Sequence, residues 1–162
     1  LPDVSTLDRH AGRNAAHDEL VHHLYRAVRA AGHLAAVGCS TLTGKRPDLA
    51  SINRAGELVL WEAKTRFEQH ERQQAWTKYH RDCHWLFMVY PMGTDLFNWS
   101  PATWLPTPPS SRYCGAMLVD DKTFKFERAP QALMPEPTEV IHLTQSVLRL
   151  HGSTARKFSA LE

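Results

Sequence analysis

Residues 57–64, Glu57-Leu58-Val59-Leu60-Trp61-Glu62-Ala63-Lys64, decide how this chain is read. They form an apolar run rich in strand-forming side chains, entered through the turn-like Asn53-Arg54-Ala55-Gly56 and closed by two charges. The pattern predicts a strand leaving a hairpin, with Lys45 to Ile52 as the antiparallel strand before it. Side chains two apart on a strand share a face, so Glu62 and Lys64 point the same way. Pairing through Gly56 then makes Asp48 a near-opposite neighbour of Glu62, with Cβ atoms about 5 Å apart. Two bare carboxylates that close repel by about 4 kcal/mol at an effective dielectric of about 20. Either one takes a proton or a cation joins them. Hard oxygen ligands with positions left open for water and phosphate suit Mg²⁺.

Working outward, Leu20, Leu24, Ala27 and Ala31 recur at helical spacing and predict a helix over 13–31, stopped by Gly32. His33 to Cys39 predicts a short strand. Beyond the hairpin, residues 66–82 are polar with Phe67, Ala75, Trp76 and Tyr79 as apolar points, which suits a second helix with one buried face. Trp85 to Tyr90 is continuously apolar, the mark of a strand buried on both faces. Prolines cluster from Pro91 to Ser111, predicting a long connection with a single turn near Thr94 to Trp99. Tyr113–Val119 and Thr123–Phe126 predict two further strands, and Thr138–Leu150 an amphipathic helix ended by Gly152, with the last ten residues frayed.

Composition narrows the function classes. A chain of 162 residues is long enough for one self-standing domain over 1–162. No apolar stretch approaches the roughly 20 residues needed to cross a bilayer, so no membrane partner is expected. Cys39, Cys83 and Cys114 are odd in number, widely spaced and without a C-x-x-C pair, which predicts reduced thiols and a cytoplasmic setting. The net charge of +2 neither demands nor excludes nucleic acid. Its distribution is more informative: Lys64, Arg66, Arg72, Lys78 and Arg81 follow directly after the acid pair, where a phosphate backbone would lie. His80 with His84, and His17 with His22 and His23, lack the companion ligands of a zinc site.

Pro47-Asp48 followed by Glu62-Ala63-Lys64 resembles the signature of the PD-(D/E)xK nuclease superfamily, and the motif is complete. The resemblance implies an α/β fold with a restriction-endonuclease-like core: a central mixed β-sheet flanked by helices in the order α-β-β-β-α-β, followed by a strand pair and a helix. It implies a Mg²⁺- or Mn²⁺-dependent deoxyribonuclease, with Asp48, Glu62 and the Ala63 carbonyl as metal ligands and Lys64 acting on the attacking water. Superfamily members often add a glutamate from the first helix, for which Glu19 is the candidate. Arg46, Arg66, His70, Gln74 and Lys78 are the expected nucleic-acid contacts. Within the superfamily, Arg46-Pro47-Asp48, Glu62-Ala63-Lys64-Thr65, Trp76-Thr77-Lys78-Tyr79 and Val89-Tyr90-Pro91 are similar to the MmcB-like DNA-repair family. Phe67-Glu68-Gln69-His70 departs from that family's pattern. The implied partner is DNA, in repair, recombination or mobile-element processing, with a homodimer as a possible state. The alternative is a nucleic-acid-binding module that keeps the fold without cutting.

Overall fold

Six strands join in a single mixed sheet whose spatial order follows the chain, β1-β2-β3-β4-β5-β6. The computed structural model describes residues 4–68, 70–96 and 109–162, with side chains from residue 15 onward. The elements are α1 (Val4–Ala30), β1 (Leu34–Ala36), β2 (Leu49–Ile52), β3 (Leu58–Ala63), α2 (Glu71–Tyr79), β4 (Trp85–Pro91), α3 (Pro109–Tyr113), β5 (Cys114–Val119), β6 (Phe124–Arg128) and α4 (Pro137–Ser159). β1, β2 and β3 pair antiparallel, β3, β4 and β5 parallel, and β6 returns antiparallel to β5. The chain is therefore α/β, with a mixed sheet flanked by helices, and the predicted α-β-β-β-α-β order is present.

Local chemistry sets the boundaries near the hairpin. Gly32, at φ +90°, ends α1. Its N–H bonds to Arg29 O (2.9 Å) while His33 N–H reaches back to Val28 O (3.0 Å), the paired bonds of a Schellman cap. Asn53 organises the β2–β3 turn: its side-chain oxygen accepts from Ala55 N–H (3.0 Å) and Glu57 N–H (2.9 Å). The register that follows sets Leu49 opposite Trp61 and Ile52 opposite Leu58. Ser51, fully buried, accepts from Trp61 Nε1 (2.8 Å) and meets His33 Nδ1 (2.9 Å), so one hydroxyl ties β2 to β3 and to the start of β1.

Strand alternation sorts the core onto two faces. Leu58, Leu60, Met88, Tyr90, Ala116 and Leu118 pack with Ala75 and Tyr79 of α2 and with Leu143 and Val147 of α4. Val59, Trp61, Ala63, Val89, Met117 and Val119 pack on the opposite face with Leu20, Leu24 and Val28 of α1. α4 reaches both, because Phe158 near its end lies against Tyr25 (4.6 Å between ring centroids) on the α1 side.

Several expectations need correction. The strand predicted over Lys45–Ile52 begins only at Leu49, and the helix predicted over 66–82 is the shorter α2. α1 starts at Val4, well before residue 13. α3 carried no recognisable periodicity, and residues 97–99 of the predicted turn lie outside the described residues. The final ten residues are largely helical: Gly152 does not end α4, which continues to Ser159. A mid-helix glycine costs only about 1 kcal/mol. Burial of Thr154 and Phe158, and the bond from Val37 N–H to Thr154 Oγ1 (3.2 Å), outweigh it.

Gly115 of β5 has no room for a side chain. A Cβ there would lie 2.7 Å from Phe87 Cε1 and from Pro130 Cδ. Gly115→Ala should therefore lose about 1–3 kcal/mol through overpacking. Urea unfolding should show a lower midpoint at unchanged slope; an unchanged midpoint would mean that β5 has room to spare.

Candidate active site

The site forms where the β2–β3 ladder runs out. Lys64 N–H bonds to Val89 O (2.8 Å), so even-numbered backbone groups of β3 face β4 and odd-numbered ones face β2. By this register Ala63 would pair next with Pro47. Proline has no N–H to donate, so the ladder gives the Ala63 carbonyl no partner at that step. The Ala63 N–H turns instead to the Asp48 carboxylate, with Oδ2 at 2.8 Å. The side chain of Asp48 thus substitutes for a backbone acceptor, and this bond fixes it beside Glu62.

Glu62 is 8% exposed, and its Oε1 is buried without a hydrogen-bond partner. Burial, and then the neighbouring Asp48 charge, push its carboxyl up from 4.5 to about 7; Lys78 and Lys64 oppose the shift. The Tyr79 hydroxyl stands close enough to favour the carboxylate, although neither it nor Glu62 Oε1 makes a hydrogen bond of good geometry. Burial and the same acids push the phenol's pKa up. A buried carboxylate oxygen without a partner, beside a second carboxylate and a carbonyl without a ladder donor, is a donor set that a hard divalent cation fits. Asp48, Glu62 and the Ala63 carbonyl would hold it. Among the described residues no group of three or more His, Cys, Asp or Glu side chains is arranged to do so. The fit therefore rests on two acids and one backbone oxygen.

Lys64 faces the same way as Glu62, and both line a groove of about 380 Å³ with Glu71, Gln73, Gln74, Ala75, Thr77 and Lys78. Its Nζ is 4.0 Å from Glu71 Oε1. Glu71 is itself largely buried, and burial raises its pKa while Lys64 lowers it.

Of the expected nucleic-acid contacts, Gln74 and Lys78 lie in this groove. Arg66 and His70 are exposed between β3 and α2, with the His70 carbonyl accepting Gln74 N–H (3.1 Å) at the helix start. Arg46 is exposed and donates to Ser40 Oγ (3.2 Å). Glu19 is not brought to the groove. Its carboxylate is 70% exposed, 3.8 Å from His23, in a separate depression shared with Asp18 and Glu162.

The α1 residue that does reach the acids is His17, whose Nε2 lies 3.2 Å from Asp48 Oδ1. That contact raises the pKa of the imidazole against the opposing effect of burial. Sequence reasoning missed His17 and Glu71. The signal was present for both. His17 is in phase with Leu20, Val21 and Leu24, and Glu71 with Ala75 and Tyr79, so both belong to buried helix stripes.

No protein-family profile and no curated protein matches the sequence. Among solved structures, the chain is similar to the SPO1766 protein of unknown function from Silicibacter pomeroyi, at 21% identity over 90% of each chain with a TM-score of 0.61. The two share a fold. No described helix is long and apolar enough to cross a membrane. Cys39, Cys83 and Cys114 are free and buried, with Cys83 and Cys114 thiols pushed up by burial.

The state of Glu62 has a measurable consequence. Between about pH 4.5 and 7 the folded chain keeps a proton that the unfolded chain has released, so stability falls as pH rises through this window. The full loss is about 3 kcal/mol, at about 1.4 kcal/mol per pH unit. With chelator present, Glu62→Gln should match wild type near pH 4.5 and exceed its stability by roughly that amount above pH 7. A stability difference that does not change with pH would mean that Glu62 titrates normally.

Proposed function

We propose that this chain is a Mg²⁺- or Mn²⁺-dependent deoxyribonuclease with a restriction-endonuclease-like core, similar to the PD-(D/E)xK superfamily and within it to the MmcB-like DNA-repair family. The observation that carries the reading is the convergence of Asp48 and Glu62 at the end of the β2–β3 ladder, with Lys64 on the face of Glu62 and in the same groove. A binding module has no use for two acids held beside phosphate at a cost in stability. A hydrolase does.

Each residue has a task set by its position. Asp48 is anchored by Ala63 N–H on Oδ2 and meets His17 Nε2 on Oδ1, while Glu62 offers an unpaired buried oxygen. Asp48, Glu62 and the Ala63 carbonyl would hold a divalent ion, which would supply a water of lowered pKa and offset charge on the scissile phosphate. Lys64 orients the attacking water and stabilises the negative charge that builds on the phosphate oxygens. Glu71 restrains the Lys64 ammonium on the groove side. Gln74 and Lys78, along the exposed edge of α2, meet the phosphate backbone; these contacts position the strand without reading its sequence.

Circular single- and double-stranded DNA, incubated with Mn²⁺ and separately with chelator, is the direct assay, because circles resist exonucleases. Nicked or linear product with Mn²⁺ alone is the expected result. Lys64→Ala should slow cutting by about 100-fold or more while leaving DNA binding in place. Undiminished cutting would remove Lys64 from the reaction. Asp48→Asn keeps an oxygen for the Ala63 N–H, so the fold persists while calorimetric Mn²⁺ binding should vanish. Retained Mn²⁺ heat in that variant would place the ion elsewhere.

A further inference from the structure

The α1 face of the sheet carries a second concavity. α1 packs over Trp61, Ala63 and Val89 and ends at Ala30. At the start of β4 the same face presents Trp85 and Phe87, which stay only partly buried. Both rings line a cavity of about 400 Å³, bounded by Val28 and Ala31 on the α1 side and by Phe126 and Pro130 on the β6 side. Small-molecule pockets span about 300–1,000 Å³, so one small ligand fits. Trp61 and Phe87 stack (4.6 Å between centroids, 17° between planes), and Phe126 leans on Phe87. The cavity therefore has an aromatic wall suited to another flat ring. Leu96 and Ser110, on either side of residues 97–108, pack on the opposite face of the sheet, Leu96 in the α2-side core and Ser110 against Gln73. The groove of Glu62 and Lys64 is also on that face.

The polar groups of the cavity narrow the ligand. Among the described residues no charged side chain lines it, so a charged ligand would find no partner. Asn53 is committed to its own turn, accepting from Ala55 and Glu57 N–H and donating to Glu57 Oε1 (3.2 Å). His33 is placed differently. Its Nδ1 meets Ser51 Oγ (2.9 Å), which is fully buried and already accepts from Trp61 Nε1 (2.8 Å). A proton on Nδ1 would set two donors on that oxygen and leave the Ser51 proton without an acceptor among the described hydrogen bonds. The network is satisfied when Ser51 donates to Nδ1 and the ring proton sits on Nε2, on the side of the imidazole turned away from Ser51. Burial lowers the pKa of His33, which favours this neutral form. The cavity thus combines an aromatic wall with a directed N–H donor.

We propose that this cavity binds a neutral, planar heteroaromatic small molecule, stacked on the Trp61–Phe87 surface and accepting the His33 Nε2–H through a ring nitrogen. The ligand is a free molecule rather than a base of a nucleic-acid strand, because no cation lines the cavity to meet the phosphates of a strand. The inference does not depend on the nuclease reading.

Nuclear magnetic resonance on the isotope-labelled full chain tests it. The probe is quinoline, a flat bicycle with one acceptor nitrogen that is uncharged at neutral pH. Indole, similar in shape but with a donor in place of the acceptor, is the control. Quinoline should shift the Trp61 and Trp85 indole N–H resonances along a saturable curve, half-complete at roughly millimolar concentration, and leave Trp76 of α2 in place. Indole should bind about fivefold more weakly, the worth of one neutral hydrogen bond. His33→Phe keeps a ring but removes the donor, and should bring quinoline down to the level of indole. Ala31→Phe, at an exposed position on the rim, should block both compounds without disturbing the fold. No saturable shift at Trp61 and Trp85 up to the solubility limit of quinoline would overturn the proposal. So would equal affinity for indole, or a response that survives Ala31→Phe.

Discussion

One hydrogen bond organises the functional end of this molecule: Ala63 N–H to the Asp48 carboxylate, 2.8 Å, at the step where Pro47 cannot continue the β2–β3 ladder. Pro47 offers the facing Ala63 carbonyl no donor, and buried polar groups without partners are costly. The Ala63 N–H at the same step is accepted by the Asp48 carboxylate, which brings a negative charge beside Glu62. The proline, the aspartate and the glutamate opposite are therefore one unit. Pro47 opens the position, Asp48 fills it, and Glu62 bears the electrostatic consequence.

The rest of the fold explains why that consequence persists. Helices packed on both sides of the sheet bury β3 on both faces, so Glu62 is left almost wholly out of water. Tyr79 and Ala75 of α2 close over the same side, and the groove left between β3 and α2 is where Lys64 and Glu71 face one another. On the opposite face α1 packs its apolar stripe against Trp61 and Val89, and one turn earlier delivers His17 to the outer oxygen of Asp48. The acid pair is thus approached from both sides of the sheet. The imidazole sits on one oxygen of Asp48 and a backbone N–H on the other, which holds the carboxylate in a single orientation.

How much of this was legible beforehand depended on whether the signal was local. The hairpin was readable because Asn53 to Gly56 punctuates the chain just before an apolar run rich in strand formers, and the register that brings Asp48 to Glu62 follows from the turn. β4 announced itself by an unbroken apolar run. α4 was misread at Gly152 because its continuation is decided by contacts more than a hundred residues away, Thr154 with Val37 and Phe158 with Tyr25. Glu19 was favoured on chemical type, whereas helix phase favours His17, two positions earlier and on the buried stripe. Glu71 was not singled out in the sequence. Its importance comes from Lys64, which only the β3–α2 packing brings near.

The central claim is that Asp48, Glu62 and the Ala63 carbonyl surround a cation position. Crystals soaked in Mn²⁺ and measured at the manganese absorption edge test it most directly. The account requires an anomalous peak between those three oxygens, on the side of the sheet where Lys64 lies. A fully diffracting crystal with no peak there, or with manganese bound only at the surface near Glu19 and Glu162, would contradict it.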